Sequence, residues 1–167
     1  IERDGLRGLS MRKLGAHLGV DPMAVYHHVA SKRELLALVT ERTVGGMVPP
    51  DPSDPWDVRV RQWATGYWEL AVANSELTLA GLADADVAAG GFPFTEPLFT
   101  AIAESGLPDE LVEPTAFIVV DAVHGAALGV GSAGRDGIDD VAGLRAAFGV
   151  GLDTIVAGIV ARAEASR

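Results

Sequence analysis

Apolar residues recur along this chain three or four positions apart, the spacing of one helical face, and no segment alternates apolar and polar residues as a half-buried strand does. In the first 45 residues this pattern predicts three helices, at 10–18, 22–28 and 31–43. Ser10, Asp21 and Ser31 have side chains that cap helix N-termini, and Glu34 completes a capping box with Ser31. We therefore expect an all-α fold.

A stretch rich in Gly and Pro, residues 45–55, separates these helices from a second helical series. The helices predicted after it are 56–73, 75–83, 95–105, 113–131 and 140–165, with a loop near residues 84–94 and a glycine-rich loop at 129–137. The chain starts at Ile1 in a charged stretch typical of a helix already under way, so we expect that the first helix is largely missing. The predicted domains are residues 1–45 and 46–167.

The formal net charge of −10 by itself argues against nucleic acid, because phosphate repels an acidic surface. The distribution of charge changes this conclusion. Residues 1–45 carry seven Lys and Arg against five Asp and Glu, a net +2, whereas residues 46–167 carry six against eighteen, a net −12. This asymmetry indicates a DNA-facing end and an acidic body. The chain has no cysteine and its richest apolar run, residues 116–131, is short for a membrane span, so we expect a cytoplasmic protein.

Residues 10–28 have the design of a helix-turn-helix, since a tight turn at Gly19 and Val20 joins two short helices. Spacing alone does not separate this design from other helical hairpins. The segment from Gly5 to Val39, with its GLSMRKLGAHLGV core, its YHH triplet and the SKRELL that follows, resembles the DNA-binding domain of TetR-family regulators, most closely the tetracycline-repressor branch. The phrase FGVGLDTIVAGI is similar to the last helix of that branch.

Carried over residue by residue, the resemblance implies a DNA-binding surface of three groups. The groove-facing group is Asp21, Pro22, Met23, Ala24 and His27; the phosphate-binding group is Tyr26, His28 and Lys32; the DNA face of the preceding helix is Ser10, Met11 and Arg12. Met23 and Ala24 offer no bidentate hydrogen bond to a base, so readout there would be apolar, against a thymine methyl group. Taken singly, Arg12 and Lys32 also fit a solvated face, and Tyr26 fits a half-buried core position.

Candidate ligand-binding residues lie in the second half of the chain. The aromatic members are Trp63, Tyr67, Trp68, Phe94, Phe99 and Phe117, and the polar members are Asp121 and His124. The aromatic side chains either line a cavity between helices or fill the core. Asp121 and His124 lie one turn apart on an otherwise apolar helix, so they pair with each other or orient a ligand. We expect no metal site and no cofactor.

The last two predicted helices are apolar on more than one face, and the first of them carries the small residues Gly125, Ala126, Ala127 and Gly129. A second copy of the chain would cover the outer faces in a four-helix bundle, and the resemblance implies the same homodimer. The predicted function is a ligand-responsive regulator, a repressor, that binds a palindromic operator in double-stranded DNA and is released by a small, mostly apolar effector. Two alternatives remain: a small helical enzyme, although no catalytic motif is present, and an acidic helical scaffold that binds protein.

Overall fold

The computed structural model describes residues 5–135 and 140–166, and the side chains of residues 6, 8–130 and 140–166. This part of the chain is helical and contains no strand, which confirms the predicted all-α class. The helices are α1 (Gly5–Gly8), α2 (Met11–Leu18), α3 (Pro22–Tyr26), α4 (Lys32–Val44), α5 (Trp56–Ala73), α6 (Ser75–Ala83), α7 (Ala85–Ala89), α8 (Glu96–Ala103), α9 (Asp109–Arg135) and α10 (Val141–Ala165). A 3₁₀ turn, Phe92–Thr95, precedes α8.

The helices divide between two compact units. The first unit comprises Ile1–Gly45 and Glu76–Phe92, and the second comprises Gly46–Ser75 and Pro93–Arg167. Residues 76–92, which the sequence analysis placed with the second half of the chain, therefore pack in the first unit. The reason is a small core in which Val87 of α7 is buried with Leu6 and Leu36.

The turn between α2 and α3 is fixed by two glycines. Gly19 has φ +70° and ends α2 in the left-handed region, where a side chain would be strained. The N–H of Val20 donates to the carbonyl of Gly15 at 3.0 Å, and the N–H of Gly19 donates to Ala16, which together form a Schellman motif. At Gly15 an added Cβ would lie 3.0 Å from the carbonyl oxygen of Val20 and 3.2 Å from Cα of Pro22, so α2 approaches the turn closely only because this residue lacks a side chain.

The predicted helix caps are present in the first unit. Ser10 accepts a hydrogen bond from the N–H of Lys13 at 3.2 Å, and Asp21 accepts one from the N–H of Met23 at 2.7 Å. Ser31 accepts from the N–H of Glu34 at 3.1 Å, while Glu34 accepts from the N–H of Ala30, one residue before the cap. These bonds satisfy N-terminal amides that a helix leaves without partners, and they set where each helix begins.

Helices α5, α8, α9 and α10 form the core of the second unit. Its largest fully buried side chains are Trp63, Leu98, Ile102, Val60, Val119 and Val123. Arg59 is also buried and forms an ion pair with Glu104. At the surface of this unit Arg61 pairs with Asp153 at 3.2 Å, and Arg145 pairs with Glu69.

The largest differences from the sequence prediction are an additional helix and the two ends of α9. The loop predicted near residues 84–94 contains α7, whose N-cap Asp84 accepts from the N–H of Asp86. Helix α9 begins at Asp109, one turn before the predicted start, and carries Pro114 inside it. Helix α9 also continues to Arg135, through most of the predicted glycine-rich loop, and the rest of that loop lies outside the described residues. Glycine and proline signal turns only weakly when tertiary packing favours the helix.

Two segments, Asp109–Val130 and Val141–Ala165, are long and apolar enough to cross a membrane by length and composition, with mean hydropathies of 1.4 and 1.6. In the structure they supply core residues, since α9 buries Val119 and Val123 and α10 buries Leu152 and Val156. Large apolar side chains nevertheless remain exposed on both helices, among them Ile118, Val150 and Val160. The two helices therefore have more apolar surface than one copy of the chain covers.

Candidate nucleic-acid interface and effector site

Most residues of the predicted DNA-binding surface are accessible in the first unit. Exposed side chains are Ser10, Arg12, Asp21, Met23, Tyr26, His27 and His28, and half-buried ones are Pro22, Ala24 and Lys32. Val25 and Val29 point the opposite way and are buried with Met11 in a core of their own. Helix α3 therefore has one buried face and one accessible face, as a helix that enters a groove requires.

Two residues of the predicted surface have structural roles. Met11 is buried beside Val25, so its side chain is not on the accessible face that the sequence analysis assigned to it. Lys32 donates from Nζ to the carbonyl oxygen of Leu6 at 2.7 Å, which ties α4 to α1. An ammonium group has three donors, so this bond leaves Lys32 able to reach a phosphate as well.

The basic residues of α2 and α4 differ in how their charges are paired within the first unit. Helices α2 and α3 contain no acidic residue, and α2 exposes Arg12 and Lys13. Arg33 on α4, in contrast, bonds to Asp84 at 2.8 Å and to Asp86 at 2.9 Å, so its charge is paired within the unit. Arg12 is therefore exposed on a helix without acidic residues, whereas the charge of Arg33 is paired with two carboxylates.

Four of the predicted ligand-binding residues form one aromatic cluster in the second unit: Trp63, Tyr67, Phe94 and His124. The ring of Trp63 stacks on Phe94 with 5.1 Å between centroids, and Tyr67 meets Phe94 edge-on at 4.7 Å. The indole N–H of Trp63 donates to the backbone oxygen of Phe94 at 3.0 Å. This cluster joins α5 and α9 to the turn before α8, which is the position between helices where bundles place ligand sites.

Tyr67 and His124 are the polar part of that cluster. Their Oη and Nε2 atoms lie 2.6 Å apart. Burial raises the pKa of Tyr67 to about 12, so the phenol stays protonated. Burial lowers the pKa of His124, although the charge of Asp121 opposes this shift, so the imidazole is neutral near pH 7. The second ring nitrogen, Nδ1, is buried and has no hydrogen-bond partner among the described residues.

The structure separates the other predicted ligand-binding residues from this cluster. Trp68 stacks on Phe148 at 5.9 Å, and its Nε1 atom is buried without a partner in the described part of the chain. Phe99 and Phe117 form an edge-to-face pair of their own at 5.8 Å. Asp121 is exposed, so it does not require the buried pairing that its place on an apolar helix led us to expect.

A groove of about 340 Å³ runs between α9 and α10. Small or aliphatic side chains dominate its lining, which consists of Ala122, Ala126, Gly129, Leu144, Ala147, Phe148, Gly151, Leu152 and Ile155. The groove offers no charged group to a ligand. It lies on the two helices that the sequence analysis assigned to dimerisation.

Two contributors to these sites were not predicted from the sequence. Asp84 and Asp86, which pair with Arg33, lie in the predicted loop, although an Asp before a short run of Ala and Val is an N-cap signal. Phe148, the partner of Trp68, gave no signal because its neighbour lies 80 residues away in sequence. Among the described residues, no group of three or more His, Asp or Glu is placed to bind a metal ion.

Residues 1–39 match the family model described as bacterial regulatory proteins, tetR family. This match covers the whole helix-turn-helix and the first part of α4. No curated protein matches the chain. The resemblance to TetR-family regulators that was inferred from the sequence is therefore confirmed over residues 1–39, which include the predicted DNA-binding residues.

Solved structures extend the likeness to the whole fold. Apo ActR from Streptomyces coelicolor is 23% identical, with a TM-score of 0.81 over 98% of this chain and 90% of that one. BioQ from Mycobacterium smegmatis is 24% identical, with a TM-score of 0.79 over 95% and 90%. A TetR variant from Acinetobacter baumannii in complex with minocycline is 23% identical, with a TM-score of 0.76 over 93% and 86%. BioQ has also been solved with its double-stranded DNA operator, and ActR with actinorhodin.

Proposed function

We propose that this chain, whose fold is that of TetR-family regulators and whose first 39 residues match that family, is a ligand-responsive transcription regulator. The main observation behind this proposal is that the residues matched by the family model include α3, which has an accessible face. That face presents Met23, Tyr26, His27 and His28, while Val25 secures the helix from the other side. The first unit binds double-stranded DNA and the second unit binds the effector.

The roles proposed for the DNA-binding residues are those that the family resemblance implies, and the accessibility of these residues supports them. Asp21, Pro22, Met23, Ala24 and His27 are placed at the major groove. Tyr26, His28 and Lys32 contact phosphates together with Arg12 and the hydroxyl of Ser10. Phosphate contacts fix the position of the helix, and groove contacts select sequence. The structure of BioQ with its double-stranded DNA operator, which has the same fold, supports DNA binding by this chain.

The active form is a homodimer on a palindromic operator. The exposed apolar surface of α9 and α10 and the groove between them support this assignment, because a second copy would cover both. A two-fold axis would place two α3 helices about 34 Å apart, one turn of DNA. Such a protein acts in the cytoplasm and needs no membrane.

The effector is a small, mostly apolar molecule that releases the repressor from DNA. The cluster of Trp63, Tyr67 and Phe94 supplies aromatic contact area, and His124 supplies a polar atom, Nδ1, that has no hydrogen-bond partner in the described part of the chain. A buried polar group without a partner costs roughly 1–3 kcal/mol, which a ligand hydrogen bond would recover. The structure of ActR in complex with actinorhodin, which has the same fold, supports binding of a small molecule by a protein of this kind.

Salt-dependent DNA binding tests this proposal against its alternatives. The native protein should bind random duplex DNA weakly and a selected duplex tightly, with log affinity falling linearly with log salt by about 0.9 for each phosphate contacted. A helical enzyme or a protein-binding scaffold predicts no such dependence. Absence of binding to any sequence in a random duplex library, at 50 mM salt, would rule out a DNA-binding regulator.

A further inference from the structure

The first turn of α3 offers no free backbone donor to a base edge. Pro22 has no N–H, the N–H of Met23 donates to the Asp21 carboxylate at 2.7 Å, and the N–H of Ala24 donates to the Asp21 carbonyl at 2.9 Å. Pro22, Met23 and Ala24 have no strong hydrogen-bonding side chain, and Asp21 carries a negative charge. Hydrogen-bond readout at this end of the helix is therefore poor.

The same turn offers apolar surface instead. Met23 is 63% exposed, more than any other large apolar side chain of α2 or α3. Single exposed apolar residues are common on protein surfaces, so the exposure of Met23 alone does not indicate a binding role. Its position does, because Met23 lies in the first turn of the proposed recognition helix, whose N-terminal residues meet base edges. The one apolar group that base pairs present in the major groove is the C5-methyl group of thymine.

We propose that Met23 contacts a thymine C5-methyl group in each operator half-site, so that this chain selects that base pair by its methyl group. The inference rests on the proposed function and specifies how its DNA-binding site discriminates. The thioether side chain is flexible and polarisable, so it follows the shape of a methyl group without a fixed hydrogen-bond geometry. The methyl group, and not the hydrogen-bonding edge of the base, is the recognised feature.

Base analogues separate the methyl group from the rest of thymine. An operator is first selected from a random duplex library with the native protein, and each thymine is then replaced singly by deoxyuridine, which lacks only the methyl group. We expect one thymine in each half-site at which the replacement lowers affinity about fourfold, the effect of losing one buried methyl group. At that position cytosine should bind worse than 5-methylcytosine, because the latter restores the methyl group.

A double-mutant comparison assigns the effect to Met23. In Met23→Ala the deoxyuridine effect should vanish, while the salt slope stays as in the native protein because no phosphate contact is removed. Leu18→Ala is the matched control, since it also removes an exposed apolar side chain, at the end of α2, and should keep the deoxyuridine effect. Circular dichroism checks that both variants fold.

The outcomes distinguish the two proposals. If the native protein selects no sequence, the proposed function fails and this inference fails with it. If a selected operator binds tightly but tolerates deoxyuridine at every thymine, or if Met23→Ala keeps the native sensitivity, DNA binding stands and the role of Met23 is overturned.

Discussion

Arg12 and Lys32 are both basic residues of the proposed DNA face, but of the two only Lys32 has a hydrogen bond to another residue in the described part of the chain. Arg12→Ala should weaken binding to all duplexes and reduce the magnitude of the salt slope by about 0.9, with the melting temperature unchanged. Lys32→Ala should lower affinity and stability together, because the carbonyl of Leu6 loses its donor. Salt titrations and thermal unfolding of both variants measure this difference. A lower salt slope with native stability in Lys32→Ala would show that the bond to Leu6 contributes nothing.

His124 makes the stability of the second unit depend on pH. Its pKa is lowered by burial from an ordinary value of 6.5, so the unfolded chain takes up its proton at a higher pH than the folded chain. The stability linked to this neutral ring is therefore complete above about pH 6.5 and is lost as pH falls below it. We expect the melting temperature to fall between pH 7.5 and pH 5.

His124→Gln should reduce that fall, because the substituted side chain does not titrate. His17→Gln, at an exposed position on α2, is the control for the loss of a histidine. The same profile in the native protein and in His124→Gln would contradict a linked protonation at this site.

At the scale of elements, the contact between α2 and the start of α3 depends on Gly15. In Gly15→Ala the new Cβ would meet backbone atoms of Val20 and Pro22, which cannot rotate away as a side chain can. We expect the free energy of unfolding to fall by about 1–3 kcal/mol, which is typical of overpacking. Operator affinity should fall by a larger fraction than stability, because the added side chain changes the orientation of α3.

Gly66→Ala is the matched control for that substitution. Gly66 also lies inside a helix, but an added Cβ would meet only the Met47 side chain, at 3.6 Å. This variant should be neutral or more stable by up to about 1 kcal/mol, since alanine favours the helix. Denaturant titration compares the two. Equal stability of Gly15→Ala and Gly66→Ala would mean that the turn tolerates a side chain at residue 15.

At the scale of the whole molecule, the groove between α9 and α10 predicts the position of the dimer contact. Ala147 lines the groove and is exposed in the single chain, so Ala147→Asp should leave the chain folded yet bury an unpaired charge in the dimer. We expect sedimentation to show a folded monomer with weakened operator binding. Ala146→Asp is the control, because Ala146 is exposed but does not line the groove. A native protein that sediments as a stable monomer at micromolar concentration would contradict the dimer.

Effector binding should be visible in tryptophan fluorescence. Trp63 lies 5.2 Å from Tyr67 and 5.1 Å from Phe94, so a molecule that enters this cluster changes its environment. In a screen of apolar compounds, quenching and loss of operator affinity should rise together at the same concentrations, since one ligand shifts one equilibrium. Trp63→Phe should reduce both the quenching and the loss of operator affinity, although an aromatic residue remains in the core. Trp56→Phe is the control and should leave both effects as in the native protein. Quenching without any change in operator affinity would show that ligand binding at this cluster does not control DNA binding.

The local structure of the first unit could be predicted from the sequence. Ser10, Asp21 and Ser31 begin helices where their capping groups predict, and Gly19 ends α2 in the conformation that glycine favours. Capping and turn geometry depend on residues within a few positions of each other, so the sequence contains the whole interaction. The periodic pattern predicted α5 and α6 at their observed bounds for a similar reason.

Contacts between distant segments were decided only by the tertiary structure. The sequence does not show that Val87 is buried with Leu6 and Leu36, and so assigned residues 76–92 to the second half of the chain. It predicted eight ligand-binding residues as one set, whereas packing brought Tyr67 to His124 and took Trp68 to Phe148. Periodicity gives the face on which a side chain lies. Which segment that face meets depends on the free energy of burying all the faces together, and that is a property of the whole fold.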